Sequence, residues 1–347
     1  MKIALLYNQK PSLPEHTPRY QSDEFAEWDN PETIEAVVDA LRERGEVIKI
    51  DCNPAHLPHI VATLLETKPD ICFNIAEGLG KASREAQIPA LLDMMGLHYT
   101  ASDPATMCLA LDKARTKEIL AYYQIPTPSF RVIYTLDECK KFLHKSPHFP
   151  LMVKPLHEGS SKGIFERSVV ASPEELLCQV CEVHERYKQP ALIEQFLQGR
   201  EFTVALIGNG ASVEVLPIVE ICFEHFPKTS RKIYSYEAKW LWDNPTNPVE
   251  VFKCPAPISK DLADEIAMLC KRAFWALRCR DWARIDVRLN ETGQPYILEI
   301  NPLPGILPNP DEHSCFPLAA RVAGMDFNAL INRVLDEALK RYNLLTT

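Results

Sequence analysis

The chain has 347 residues, with 38 lysines and arginines against 47 aspartates and glutamates, and a formal net charge of −9. This length exceeds one ordinary hydrophobic core and predicts two or three domains. The acidic balance argues against nucleic acid or a membrane surface as a partner, although it permits a local basic pocket.

Three features predict a cytoplasmic protein. The sequence begins with the apolar stretch KIALLY and lacks the charged, apolar and small-residue regions of a signal peptide. No apolar run approaches the length that spans a bilayer. Eleven cysteines are scattered without a disulfide framework, which is typical of reduced thiols.

The N-terminal part of the chain predicts a parallel, Rossmann-like α/β domain. A strand at 2–7 is followed by a helix that begins after Asn30, with Pro31 in its first turn, and ends at Gly45. The alternation continues with a strand at 47–51, a helix near 57–67 and a strand at 70–75. The Pro-rich segment 8–29 is longer than an ordinary connection and predicts a lid or a substrate loop.

An α+β region follows. Asp103 and Pro104 begin a helix, and the strands are expected at 129–134, 151–154 and 164–170, with a Gly/Ser-rich loop at 157–163 and a helix capped by Ser172. Two strands within 191–207, helices near 260–277 and 327–342, and a β-hairpin within 281–305 complete the chain. The fold class is therefore mixed α/β and α+β, and we place the domains at 1–105, 106–197 and 198–347.

The hairpin carries the most informative polar residues. Asp286 and Glu299 fall one on each strand, among aliphatic residues. A carboxylate in an apolar sheet stays ionised only with a partner, and a divalent cation is the natural one. Asn301 lies two residues beyond Glu299, on the same strand face, and adds a neutral oxygen ligand. Arg284 shares a face with Asp286 and suits a phosphate or a developing oxyanion. A surface hairpin with solvated charges is the alternative.

Two further stretches suit a nucleotide. Lys154 ends an apolar strand just before the Gly/Ser loop, so that loop amides can wrap an anion beside a fixed charge. The segment 194–197, with Glu201 beyond it, can offer backbone groups, an aromatic face and carboxylates to an adenine and its ribose. A solvated strand end and an ordinary edge strand are the respective alternatives.

Together these stretches resemble the ATP-grasp superfamily and, within it, the D-alanine:D-alanine ligases. From Ala90 onward the motifs stand in the family's order and at comparable spacing: LDKARTK, VKPLHEGSSKG, IEQFLQGREFTVA, YSYEAKW, ARIDVRL and LEINPLPG. The resemblance implies a three-domain ATP-grasp fold.

The resemblance also implies a role for each matching residue. ATP would be held by Lys113, Lys154, Ser161 in the loop 159–163, Glu194, Phe196, Leu197, Glu201 and Lys239. Two magnesium ions, for which manganese can substitute, would be bound by Asp286, Glu299 and Asn301. Arg284 and the backbone at Gly305 would stabilise the oxyanion, Ser160 would join a catalytic network, and Ser314 would lie near the second amino acid.

The implied reaction is ATP-dependent amide formation. The carboxylate of one amino acid attacks the γ-phosphate, which gives an acyl phosphate and ADP, and the amine of a second substrate then attacks the activated carbonyl. The partners would be small amino-acid substrates, with a homodimer as the possible assembly.

The departures from the family's pattern cluster at the substrate end. Trp240 stands where the family usually has a tyrosine, and the glutamate that precedes the first helix has no clear match, with Glu27 and Asp29 nearest. Arg84 falls where an acid is expected. We therefore expect Arg84 and Trp240 to disfavour D-alanine and to favour a substrate with an extra carboxylate. A solvated arginine at a helix start is the alternative for Arg84.

Three functions follow in order. The first is a ligase that joins two amino acids, or an amino acid and an amine, with a substrate pair of its own. The second is a true cell-wall D-alanine:D-alanine ligase, and the third is an inactive ATP-binding homologue, against which the intact hairpin residues argue.

Overall fold

Three β-sheets organise the computed structural model, which describes residues 1–11, 25–80, 82–226, 230–235, 251–312 and 314–345. The sheets follow one another along the chain, as the sequence predicts. The domain boundaries themselves stay a prediction.

The first sheet is parallel and has the order β2-β1-β3, from strands Lys2–Tyr7 (β1), Glu46–Asp51 (β2) and Ile71–Asn74 (β3). Helices Pro31–Arg42 (α1) and Leu57–Thr67 (α2) connect these strands. Strand β1 is central and apolar on both faces, which is why it reads as a continuous hydrophobic run. The predicted Rossmann-like α/β topology is confirmed.

Three helices then lead to the second sheet: Gln87–Met95 (α3), Pro104–Leu111 (α4) and Lys113–Tyr122 (α5). Asp103 caps α4 by accepting a hydrogen bond from the Thr106 amide at 2.9 Å. Asp112 caps α5 through the amides of Ala114 and Arg115, both at 3.0 Å. This second cap interrupts the helix and places Lys113 at the start of a new one.

The second sheet is antiparallel with the order β4-β7-β5-β6, from Phe130–Ile133 (β4), Leu151–Pro155 (β5), Val169–Val170 (β6) and Ala191–Gln195 (β7). Helices Leu136–Leu143 (α6) and Pro173–Tyr187 (α7) cover it. The strand predicted at 164–170 is wrong in length, because residues 166–168 form a 3₁₀ turn. The Ser168 hydroxyl bonds the Phe165 amide and the Gly163 carbonyl there, which offers the backbone a local alternative to the ladder.

The third sheet is antiparallel with the order β11-β10-β8-β12-β13, and a short strand β9 pairs with β8. Its strands are Glu201–Ile207 (β8), Glu214–Val215 (β9), Val219–Ile221 (β10), Phe252–Lys253 (β11), Trp282–Leu289 (β12) and Pro295–Asn301 (β13). Helix Lys260–Ala276 (α8) packs on this sheet through an apolar face. The predicted hairpin is confirmed as β12 and β13.

The two last helices, Cys315–Val322 (α9) and Phe327–Arg341 (α10), return to the N-terminal sheet. Helix α10 packs on α1 in one buried cluster, and the Asn332 amide donates to the Ala40 carbonyl at 3.0 Å. Fully buried Asp281 accepts from the Ala101 amide at 2.8 Å and pairs with Arg341 at 2.8 Å. These contacts tie the hairpin to the N-terminal sheet.

Two general predictions can be compared with the described residues. All eleven cysteines lie among them, and none forms a disulfide. None of the described helices is both long and apolar enough to cross a membrane.

Candidate active site

A cleft of about 330 Å³ opens between the second and third sheets and reaches the N-terminal domain. Every predicted site residue that the structure describes lines this cleft, except Arg84. Lys239 and Trp240 lie outside the described residues. The expectations attached to those two side chains therefore stay predictions.

The hairpin places the predicted metal ligands together. Asp286 on β12 lies directly opposite Glu299 on β13, and the ladder continues to the pair Arg284 and Asn301. The Asn301 amide approaches the Asp286 carboxylate at 3.5 Å, and the Arg284 guanidinium bonds the same carboxylate at 3.0 and 3.2 Å. The strand period of two side chains thus puts three oxygen-bearing groups and one cation on one face.

The two carboxylates of the hairpin differ in their electrostatic setting. Burial alone would raise the pKa of Glu299, but Lys113, Lys154 and Arg284 hold it well below its usual range. Burial raises the pKa of Asp286, and the neighbouring Glu299 adds to that rise against the opposing charge of Arg284. Asp286 is therefore a buried acid that the protein's own cations do not fully neutralise.

A second charged cluster lies at the end of β7. Glu194 accepts from Lys154 at 2.5 Å and from Lys117 at 2.8 Å. Burial opposes the ionised form of Glu194, yet the two lysines lower its pKa. Lys117 is 0% exposed and was missed in the sequence. The signal was present, because Lys113 and Lys117 are four residues apart on α5 and share a helix face.

Lys113 connects this cluster with the hairpin and the Gly/Ser loop. Its ammonium lies 3.3 Å from the Glu299 carboxylate and donates to the Glu158 carbonyl at 2.6 Å. Lys113 and Lys154 thus flank the hairpin acids as fixed positive charges, which is the arrangement that polyphosphate groups require.

The loop 157–163 has an unusual backbone. Ser160 and Ser161 are consecutive residues in the left-handed region, with φ of 47° and 60°, and Gly163 follows at 74°. Each non-glycine residue there costs roughly 1–2 kcal/mol. Contacts outside the loop hold the conformation, among them the Ser161 hydroxyl, which donates to the Tyr234 carbonyl at 3.2 Å. Strain held in this way marks a loop that is shaped for a ligand.

The adenine end of the cleft combines an aromatic ring with a buried ion pair. The Arg288 guanidinium lies 4.8 Å from the centre of the Phe196 ring and 2.5 Å from the Glu201 carboxylate. Burial raises the pKa of Glu201 and lowers that of Arg288. Leu197 is buried beside them, so this end is an apolar slot with a few polar groups.

At the opposite end, Ser314 and Gly305 are joined. The Ser314 hydroxyl donates to the Gly305 carbonyl at 3.2 Å and accepts from the Leu307 amide at 3.2 Å. The loop after β13 therefore folds back along the cleft beside Arg284, with its backbone fixed by one serine.

The substrate end contradicts the role expected of Arg84. One terminal nitrogen of its guanidinium donates to both oxygens of Glu27, at 2.9 and 2.8 Å, and the other donates to the His157 carbonyl at 2.7 Å. Arg84 is 5% exposed and stands behind the cleft wall. Its charge is already used by Glu27, so it does not offer a free fork to a substrate carboxylate.

Glu27 itself closes onto the Gly/Ser loop. A Cβ at Gly159 would lie 2.2 Å from a Glu27 oxygen, and the Lys162 ammonium lies 3.2 Å from that carboxylate. Burial opposes the charge, but Arg84 and Lys162 lower the pKa of Glu27 to about 2. The described end of the predicted lid segment thus contacts the loop, and glycine at 159 provides the necessary space.

Two acids that the sequence analysis did not single out complete this end. Glu77 and Glu85 both line the cleft, and one oxygen of each lies within 4.8 Å of the other and of Glu27. Glu85 directly follows Arg84, so its alternation with a visible neighbour was the only signal. Nothing in the local sequence shows that segments 25–29 and 77–85 meet.

Comparisons with known proteins agree with this geometry. The family described as D-ala D-ala ligase C-terminus matches residues 120–336. A protein of Sinorhizobium fredii named uncharacterized protein y4sG is 36% identical over 320 residues, which cover 91% of this chain and 90% of that protein. D-alanine–D-alanine ligase B of Pseudomonas putida is 33% identical over 307 residues, 88% of this chain and 86% of that one.

The solved structures show the same fold. The D-alanine–D-alanine ligase of Bacillus anthracis complexed with ATP superposes with a TM-score of 0.69 at 20% identity, over 99% of both chains. The ligase of Coxiella burnetii gives a TM-score of 0.68 at 18% identity, over 99% of this chain and 95% of that chain.

Proposed function

The chain belongs to the D-alanine–D-alanine ligase family of ATP-dependent ligases, and from this premise we propose that it joins the carboxylate of one amino acid to the amine of a second substrate. The reaction consumes ATP and yields ADP, phosphate and a dipeptide-like amide. The first substrate's carboxylate is activated as an acyl phosphate before the amine attacks it.

One observation carries this proposal. The acid pair Asp286 and Glu299 faces the same cleft as Lys113, Lys154 and Arg284. Acids with a neutral oxygen ligand bind hard cations, lysines neutralise phosphates, and a guanidinium stabilises an oxyanion. Only a reaction that transfers a phosphoryl group and then passes through a tetrahedral oxyanion uses all three.

The donor set fits magnesium. Asp286, Glu299 and Asn301 offer only oxygen ligands, and burial leaves Asp286 with a raised pKa that a cation in the cleft would bring down. These three residues would hold the metal, which when bound supplies positive charge to the phosphates of ATP.

The chain's own residues then have separate tasks. Lys113 and Lys154 hold the phosphates from fixed positions on α5 and β5, and the strained loop with Ser160 and Ser161 covers them. Arg284 waits beside the reacting carbonyl, where its fork stabilises the oxyanion that forms when the amine attacks. Because these groups are buried and preorganised, they need little rearrangement during the reaction.

A cell-wall D-alanine:D-alanine ligase is the second candidate, favoured by the relatives of that name at 33% identity. The substrate end argues for another pair of substrates, because Glu27, Arg84 and Glu85 form a charge network that the family's pattern does not contain.

A coupled assay of ADP formation over D- and L-amino acids, offered singly and in pairs, tests the proposal. We expect ADP only with a competent pair and an amide product in equal amount. Failure of every pair to give ADP, with ATP bound and the protein folded, would reject the ligase function. Preference for D-alanine as both substrates would select the cell-wall ligase.

A further inference from the structure

The substrate end of the cleft holds more negative than positive charge. Four carboxylates meet there, from Glu27, Glu77, Glu85 and Glu158, and two cations are placed among them, Arg84 and Lys162. These residues come from three separate segments of the chain. Carboxylates buried together without enough counter-charge are costly, so the surplus calls for a ligand of positive charge.

The two cations are already committed. Arg84 donates to both oxygens of Glu27, and Lys162 lies 2.9 Å from Glu158 and 3.2 Å from Glu27. Lys113, the next cation along the cleft, lies 3.3 Å from Glu299. Glu77 and Glu85 are therefore the surplus acids.

Glu85 is the sharper of the two. It is 8% exposed, lines the cleft, and accepts no hydrogen bond from any residue in the described part of the chain. Its nearest cation is Arg84, at 3.8 Å, beyond hydrogen-bond distance. A carboxylate that is more than nine-tenths buried, open to a cleft and without a donor is a receptor for a donor that the ligand brings.

Resting on the proposed function, we propose that Glu77 and Glu85 bind a cationic group of the first substrate, and that this substrate is an amino acid whose side chain bears an ammonium or a guanidinium. One α-ammonium would balance only one of the two surplus charges. A second cationic group balances the other, while the substrate's carboxylate extends towards Lys154 and Arg284. This reverses the sign of the substrate expected from Arg84 in the sequence.

The titration behaviour of the two acids agrees with this proposal. Burial and the neighbouring Glu27 raise the pKa of Glu85 to about 7, although Arg84 opposes the rise. Burial and then Glu85 raise the pKa of Glu77 well above its usual range. Both acids thus lack a cation in the free protein.

An organic cation fits the geometry better than a metal ion. Both oxygens of Glu27 are occupied by Arg84, which leaves only Glu77 and Glu85 as available ligands. Hard divalent cations take six or more oxygen ligands, and a guanidinium at 3.8 Å repels them. An ammonium or guanidinium needs only two carboxylates to satisfy its N–H groups.

The test compares the full-length protein with Glu85→Gln, Glu77→Gln and a control, Glu66→Gln, which changes an exposed glutamate on α2. The ADP assay is run with lysine, ornithine, arginine, alanine and glutamate of both chiralities. We expect kcat/KM for a cationic first substrate to exceed that for alanine at least about tenfold, and each cleft variant to cut that ratio about tenfold, mainly through KM. The control should keep the wild-type ratio.

Two results would overturn the inference. One is a wild-type preference for neutral or acidic amino acids, and the other is an unchanged ratio in both folded cleft variants. Calorimetric titration separates this inference from the ligase proposal, because lysine binding that weakens in Glu85→Gln supports the site even if no pair yields ADP, and absence of lysine binding rejects it. A Mn²⁺ titration that loses one ion in Glu85→Gln would make the cluster a metal site and also reject it.

Discussion

The metal end and the substrate end of one cleft are both built from buried acids and cations, yet they are balanced differently. At the metal end Glu299 is matched by Lys113, Lys154 and Arg284, which lower its pKa. At the substrate end Glu85 keeps a raised pKa beside a single committed arginine. A charge excess at one end of an otherwise conventional ligase cleft teaches that the chemistry is shared with the family while the choice of substrate belongs to this chain.

The comparison predicts that changes at the metal end abolish turnover. Glu299→Gln should keep the fold and reduce turnover by on the order of 10³-fold, because an amide replaces a charged ligand of a hard cation. Circular dichroism and the ADP assay measure the two effects. Glu291→Gln, an exposed glutamate in the turn of the same hairpin, is the control and should be near wild type. Near wild-type turnover in Glu299→Gln would remove the metal assignment.

Arg284→Lys should lose roughly 10²-fold in turnover and far less in ATP affinity. A guanidinium aimed at a developing oxyanion acts mainly in the transition state, and lysine cannot reproduce its fork. Equilibrium nucleotide binding and steady-state kinetics are compared on the same protein. Equal losses in both would assign Arg284 to ground-state phosphate binding instead.

Lys117→Met should lower the free energy of unfolding by about 3 kcal/mol, because Glu194 would lose one of its two buried cationic partners. Chemical denaturation measures this change. The control is Arg115→Met on the same helix, where the pair with Glu118 is exposed and contributes at most about 1 kcal/mol. If both variants unfold alike, Lys117 does not neutralise Glu194.

The substrate end should show itself in the pH dependence. A carboxyl with a raised pKa still holds its proton below that value and accepts a cation only above it. Since the pKa of Glu85 is raised to about 7, kcat/KM for a cationic first substrate should rise about tenfold between pH 6 and pH 8. The charged groups around Glu85 are Glu27, Glu77, Arg84, Lys113 and Lys162. Loss of this rise in Glu85→Gln assigns it, and its persistence there would assign it elsewhere.

The same contrast explains what the sequence could predict. The hairpin acids were predictable because strand periodicity and one short turn place Asp286 opposite Glu299. Lys117 was within reach, since it stands one helical turn after Lys113. The fold class followed from the alternation of strands and helices, and only the strand at 164–170 was overextended, where Ser168 redirects the backbone.

The substrate end could not be predicted in the same way. The partner of Arg84 is Glu27, 57 residues earlier, and no local pattern connects the two. An arginine that replaces an acid suggests a positive pocket when it is considered alone. Only the tertiary arrangement shows that Glu27 neutralises this arginine and that Glu77 and Glu85 leave the pocket negative.

The central claim is that this cleft activates a carboxylate by phosphorylation before an amine attacks it. The most direct measurement uses a competent first amino acid whose carboxylate carries oxygen-18, followed by mass spectrometry of the released phosphate. An acyl phosphate route transfers one labelled oxygen to phosphate for each amide formed. Phosphate that carries no label while ADP and amide accumulate would contradict it.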